Sequence, residues 1–119
     1  MKYMIMMFGS AAGMTAVKSP EWIKEMIGFM QQLDRDLTKS GELVFNLGLA
    51  DGSTAKTVRL ENGLPVATDG PFAESKESLV GYWVVDVESE ARVIEIAAQI
   101  VEYSGVVEIR QSPDAPPEV

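Results

Sequence analysis

The sequence predicts an α+β fold, a ferredoxin-like βαββαβ plait with an inserted β-hairpin. Three observations predict it: two strand-like segments that are apolar on both faces, two amphipathic helices that each follow a capping serine, and a polar hairpin between the second and third core strands. A length of 119 residues suits one domain with its own core. We expect that domain over residues 1–112, followed by a flexible, acidic and proline-rich tail over residues 113–119.

The first strand is predicted over residues 2–8, KYMIMMF, because apolar side chains occupy both of its period-2 faces. The first helix is predicted over residues 19–39, with Ser19 as N-cap and Pro20 in the first turn, where its missing N–H costs nothing. Gly41 marks the end of this helix. Apolar residues recur every three or four positions and form one stripe: Trp22, Met26, Met30, Leu33 and Leu37.

The remaining elements follow from the same signals: core strands at 42–50, 79–87 and 106–110, hairpin arms at 54–60 and 64–68, and a second helix at 90–103. The segment 42–50 alternates, which predicts one core-facing set: Leu43, Phe45, Leu47 and Leu49. Asn62-Gly63 is a hairpin-turn signal. Ser89 is the expected N-cap of the second helix, and Gly105 ends it.

The sheet of such a plait has helices on one face only, with the first and third strands at its centre. Both central strands carry Tyr, Met, Phe, Trp and Val on both faces. The uncovered face would therefore be an apolar patch larger than monomers usually expose. We predict a homodimer whose sheets pack face to face, with a second apolar stripe on the second helix as an additional contact.

Composition narrows the function classes. The formal net charge of −8 argues against nucleic acid and anionic membrane surfaces as partners. The chain contains no cysteine and no histidine, so disulfides, thiolate chemistry and the commonest general base are absent. The apolar run at the start is too short for a signal peptide or a membrane span, so we expect a cytoplasmic protein. No cofactor motif or zinc spacing occurs, although a metal held by oxygen ligands stays open.

Several segments resemble the DGPF-domain branch of the YCII-related family: KYMIMMFG at the start, SPEW at the first helix, DGPFAESKE and SLVGYW in the middle, and VEIR near the end. The resemblance runs from residue 2 to about residue 110. It implies a ferredoxin-like, dimeric α/β barrel whose members are considered small-molecule enzymes, some encoded beside or joined to extracytoplasmic-function sigma factors. The family's proposed His–Asp pair cannot be carried over, because this chain has no histidine.

The DGPFAESKE motif, residues 69–77, is the candidate site. Its first four residues have the chemistry of a turn, with Phe72 expected to plug into the core. Its last four residues, 74–77, precede a buried strand, where loops on a rigid scaffold commonly carry function. The candidate catalytic residues are Asp69, Glu74, Lys76 and Glu77, and the candidate ligand contacts are Asn46, Ser75 and Tyr82. Lys76 could bind an anionic group, or a glutamate could act as base. A solvated charge run is the equal alternative.

Two acids of the first helix, Asp34 and Asp36, are interpreted as solvent-facing because charged helix positions usually face water.

Two functions of the protein stay open. The first is a small-molecule enzyme with a cleft between helices and sheet, bordered by the motif. The second is a non-catalytic ligand-binding or regulatory homodimer, linked to a sigma-factor response.

Overall fold

The computed structural model describes residues 1–9, 17–72 and 78–117. The elements within these ranges are, in chain order, β1 (Lys2–Gly9), α1 (Pro20–Ser40), β2 (Leu43–Gly48), a 3-10 turn (Gly52–Thr54), β3 (Lys56–Glu61), β4 (Leu64–Asp69), β5 (Ser78–Asp86), α2 (Glu90–Ser104) and β6 (Val107–Ser112). The strands and helices predicted from the sequence are all present. Their ends lie within two residues of the expected positions.

Four strands form one antiparallel sheet in the order β2-β5-β1-β6. The two strands that are apolar on both faces, β1 and β5, are therefore its central pair. Ile5 lies at the middle of the sheet, between Trp83 of β5 and Ile109 of β6. Strands β3 and β4 form a separate two-stranded sheet. The architecture is mixed α+β with antiparallel sheets, as expected.

The core lies between this sheet and the two helices. Ile5 and Val85 point toward the helices and are fully buried. The buried cluster around them is completed from α1 and α2 by Leu33, Leu37, Val93, Ile96, Ala97 and Ile100. Burying one such aliphatic side chain stabilises the fold by about 1.5–3 kcal/mol. Packing against this cluster therefore fixes which face of α1 meets the sheet.

Both helices begin and end where their local chemistry predicts. The Ser19 hydroxyl accepts a hydrogen bond from the Trp22 N–H at 3.1 Å, and the Ser89 hydroxyl accepts one from the Arg92 N–H at 3.2 Å. Gly41 ends α1 with φ of 80°, a left-handed conformation that favours glycine. The caps set the start of α1, and thus the rotation of its residues about the helix axis.

The predicted core face of β2 is wrong. Only Leu43 of that set packs against the core, and the other three side chains are 40% to 52% exposed. The pairing of β2 with β5 shifts between Leu43 and Phe45, so a β-bulge adds one residue to β2. One extra residue inverts the alternation of faces along the rest of a strand. Asn46 consequently lies opposite Trp83, on the face that meets the helices.

The opposite face of the sheet is apolar and uncovered by either helix. Its side chains are half-buried or exposed: Met4, Met6, Phe8, Phe45, Leu47, Val80, Tyr82 and Val84.

The β3–β4 hairpin turns at Asn62 and Gly63, whose φ values of 51° and 79° are those of a type I′ turn. This turn is the one that the Asn-Gly pair predicts.

Candidate functional site

A cavity of about 210 Å³ lies between α1 and the β2–β5 side of the sheet. Its polar side chains are Asp34 from α1 and Asn46 from β2, with Trp83 of β5 between them. Three thioether side chains supply the apolar part of the wall: Met7, Met26 and Met30. The cavity therefore has one charged group in a largely apolar lining.

Two glycines leave this space empty. Gly48 of β2 pairs with Gly81 of β5, and both border the cavity. A Cβ atom placed on Gly48 would meet nothing within 4 Å. A Cβ on Gly81 would come within 3.3 Å of the Leu47 carbonyl oxygen, so that position has no spare room at the backbone. At this paired position the cavity is bordered by backbone without side chains.

Asp34 faces this cavity, so the expectation that it faces solvent is wrong. It lies one helical turn beyond Met30, on the same side of α1, and is only half-exposed. Trp83 Nε1 donates a hydrogen bond to Asp34 Oδ1 at 3.0 Å. Asp36 does face water, as expected, and accepts a hydrogen bond from Gln32 Nε2 at 2.8 Å.

The indole bond fixes the position of the Asp34 carboxylate. Trp83 is 6% exposed, and a buried indole N–H requires an acceptor. Within the described ranges, the second carboxylate oxygen of Asp34 accepts no hydrogen bond. A molecule in the cavity can therefore donate to this oxygen without displacing Trp83. The sequence signal for this site is the four-residue spacing of Met26, Met30 and Asp34, which continues the apolar stripe with an acid.

Two of the residues predicted as ligand contacts border the cavity. Asn46 lies in its wall, because the bulge turns it toward α1. Tyr82 borders it from β5, but its ring lies on the opposite face of the sheet. There the ring is tilted against Phe45, with 6.2 Å between the ring centroids. Asn46 can thus reach a ligand with its side chain, whereas the Tyr82 hydroxyl is directed away from the Asp34 side.

Asp69 lies away from this cavity, at the end of β4. Its side chain is 87% exposed and forms an ion pair with Lys56 across the hairpin. Gly70 follows with φ of 103°, and its carbonyl accepts a hydrogen bond from Thr57 Oγ1 at 2.7 Å. The start of the motif is therefore a hairpin corner, as its turn chemistry predicts.

The expectation that Phe72 fills the core is wrong. Its side chain is 78% exposed, and the Arg59 guanidinium lies 5.3 Å from the ring centroid. The reason is that the corner packs against the hairpin, so the ring meets a hairpin side chain instead of the core. A separate surface pocket of about 420 Å³ borders Pro71 and Phe72.

The other predicted site residues lie outside the described residues: Glu74, Ser75, Lys76 and Glu77.

A second, partly buried polar contact joins α2 to the residue that precedes β2. Arg92 donates from Nε and one terminal nitrogen to the two carboxylate oxygens of Glu42, both at 2.8 Å. These hydrogen bonds lower the pKa of Glu42 below its ordinary value, with a further contribution from the Ser40 hydroxyl. Neither partner borders the cavity. The pair positions α2 relative to the sheet and is not part of the candidate site.

Within the described ranges, no group of three or more acidic side chains lies close enough together to hold a metal ion. Neither α1 nor α2 combines the length and apolar character that a helix needs to cross a bilayer.

Comparison with known proteins gives two matches. The sequence profile of the YCII-related domain matches residues 1–112. An uncharacterized protein of Rhizobium meliloti (strain 1021) is 28% identical over 86 residues, which cover 72% of this chain and 69% of the relative.

Proposed function

Because the chain belongs to the YCII-related family, we propose that it is a DGPF-branch protein that binds a small organic molecule in the cavity between α1 and the sheet. The observation that carries this proposal is the Asp34 carboxylate, held at 3.0 Å by Trp83 with one oxygen unbonded in the described structure. A charged group at an apolar cavity is the arrangement that ligand sites commonly have. Asp34 acts there as a hydrogen-bond acceptor for the ligand.

Binding is favoured over proton-transfer catalysis by the content of the cavity wall. Asp34 is the one described lining residue that is charged at neutral pH. Acid–base catalysis commonly uses an acid and a base together, and the described lining offers no second group of that kind. Anchoring a ligand requires only the single, well-oriented carboxylate.

A small-molecule enzyme is the second candidate, and one observation favours it. The cavity extends along β5 to Val80 and Gly81, close in sequence to Glu77. In this version Lys76 or Glu77 supplies the second catalytic group beside Asp34. Turnover that is lost in Lys76→Ala and Glu77→Ala, at unchanged melting temperature, would establish this candidate in place of the first.

The proposed assembly is a cytoplasmic homodimer of ferredoxin-like plaits, with the sheets facing each other as in a dimeric α/β barrel. The strand order β2-β5-β1-β6 and the placement of both helices on one face support the plait. The uncovered apolar face supports the dimer, because water contact with such a patch is unfavourable. A face-to-face interface of standard size buries about 1,200–2,000 Å².

A thermal-shift screen of metabolites tests the binding proposal, with two glycine variants as a matched pair. Gly48→Val places a side chain in the cavity, where the Cβ meets nothing within 4 Å. Gly28→Ala adds a side chain to α1 outside the cavity and serves as control. We expect hits that are lost in Gly48→Val and kept in Gly28→Ala. Hits that persist in Gly48→Val would place the ligand elsewhere and refute the proposal.

A further inference from the structure

We propose that the ligand is a small amine with a compact apolar body, bound as its ammonium form to Asp34. This inference rests on the proposed binding function and specifies the ligand class for the same cavity. It depends on three properties of the described lining: its charge, its hydrogen-bonding groups and its size.

Charge selects a cation. The described lining contains the Asp34 carboxylate and no lysine or arginine. A carboxylate or phosphate ligand would lie beside a like charge, with no cationic side chain in the described lining to offset the repulsion. An ammonium group instead gains an opposite charge at the same position. The formal net charge of −8 on the chain acts in the same direction.

The hydrogen-bonding groups select a donor. Trp83 Nε1 is already bonded to Asp34 Oδ1, so this donor is occupied. The unbonded carboxylate oxygen is acceptor-only, and a charge-assisted N–H donor is its strongest partner. Asn46 also lines the cavity, opposite Trp83 in the sheet, and its amide oxygen can accept a further N–H. An amine can donate to both acceptors, whereas a ligand with acceptors alone leaves the second oxygen of Asp34 without a donor.

The volume of the cavity and its methionine side chains indicate the apolar body of the ligand. An apolar protein cavity of about 150 Å³ can hold benzene, and the cavity here is about 210 Å³. A six-membered ring with a one- or two-carbon amine arm is therefore of suitable size. The thioethers of Met7, Met26 and Met30 adapt to a ring and are polarizable. At Gly48 and Gly81 no side chain narrows the cavity.

Three aromatic probes of similar size and different charge test the inference: benzylamine, benzyl alcohol and benzoate. Binding of each to the full chain is measured at neutral pH by calorimetry or ligand-observed NMR. We expect benzylamine to bind at least about tenfold more tightly than benzyl alcohol, because its hydrogen bond to Asp34 is charge-assisted. Benzoate should bind most weakly. In Asp34→Asn, the advantage of benzylamine should disappear while benzyl alcohol still binds.

The outcomes separate the ligand class from the binding function. If benzoate or benzyl alcohol binds most tightly and Gly48→Val abolishes that binding, the cavity is a site but the amine inference is wrong. If benzylamine binds equally well to the parent chain, Asp34→Asn and Gly48→Val, both the inference and the proposed cavity fail. Absence of saturable binding by benzylamine overturns the amine inference, while the metabolite screen continues to test the cavity.

Discussion

Trp83 Nε1 and Asp34 Oδ1 lie 3.0 Å apart and form a hydrogen bond between β5 and α1. These residues are 49 positions apart in the chain. The bond satisfies a buried indole and at the same time holds a carboxylate at the edge of a cavity. One contact therefore contributes to stability and to the candidate site, and the two roles can be measured separately.

The stability role predicts different effects for two substitutions of Asp34. Asp34→Ala leaves the indole N–H of Trp83 without an acceptor, and we expect it to lower the free energy of unfolding by about 1–3 kcal/mol. Asp34→Asn retains a side-chain oxygen, so its cost should be less than about 1 kcal/mol. Urea denaturation measures both values. Asp36→Ala, on the exposed side of the same helix, is the control and should change stability little. Equal stability of Asp34→Ala and the parent chain would contradict this assignment.

The paired glycines Gly48 and Gly81 should respond oppositely when each is replaced by alanine, as measured by protein stability. Gly48→Ala adds a methyl group to open space and removes the entropic cost of glycine in a strand, so stability should stay equal or rise by about 0.5–1 kcal/mol. Gly81→Ala places its Cβ at 3.3 Å from the Leu47 carbonyl oxygen and should be destabilising. Thermal unfolding of the two variants under identical conditions provides the comparison. The cavity geometry would be wrong if Gly81→Ala were the more stable variant.

The ion pair of Glu42 and Arg92 predicts a pH-dependent contribution to stability. The pKa of Glu42 is lowered in the folded state by hydrogen bonds from Arg92, relative to an ordinary value of 4.5. A lowered folded pKa means that the contribution is complete above the unfolded value and is lost as the pH falls through the folded value. Glu42→Gln should therefore cost about 1–2 kcal/mol at neutral pH and progressively less below pH 4.5.

Chemical denaturation across this pH range measures the difference between Glu42→Gln and the parent chain. Glu95→Gln is the matched control, because Glu95 also contacts Arg92 but is 66% exposed. A cost for Glu42→Gln that does not vary between neutral and acidic pH would show that the charge of Glu42 is not its source.

The uncovered apolar face of the sheet predicts a dimer. A charged side chain introduced on this face should disrupt that dimer. The parent chain should sediment as a dimer at micromolar concentration, and Phe45→Glu should shift it toward monomer by placing a charge in an apolar interface. Phe45 is 52% exposed in the single chain, so the substitution should not unfold the monomer. Val106→Glu, at a similarly exposed apolar position outside the core strands, is the control. A parent chain that sediments as a monomer would refute the face-to-face dimer.

The elements were predictable because their signals act over a few residues. Ser19 and Ser89 accept hydrogen bonds from N–H groups three residues ahead, and the Asn62-Gly63 turn depends on backbone conformations that these two residues tolerate. The doubly apolar character of two strands predicted their central place in the sheet. None of these inferences required knowledge of a distant contact.

The candidate site was only partly predictable. Asn46 was selected as a pocket residue from its strand face, although the bulge that turns it toward the helices was not foreseen. Asp34 was interpreted as a surface acid, because a charge on a helix usually faces water. The sequence predicts Phe72 in the core, whereas its ring contacts Arg59, a tertiary contact that no local signal indicates.

Local sequence signals were enough to predict the strands and helices to within two residues of their ends, and to predict which strands lie at the centre of the sheet. The tertiary structure decided that Asp34 meets Trp83, that a bulge inverts the faces of β2, and that two glycines leave a cavity beneath α1. The physical reason is the distance along the chain over which each interaction acts. Caps and turns depend on neighbouring backbone groups, whereas the environment of a helix carboxylate depends on the strand that packs against it, and on that strand's register.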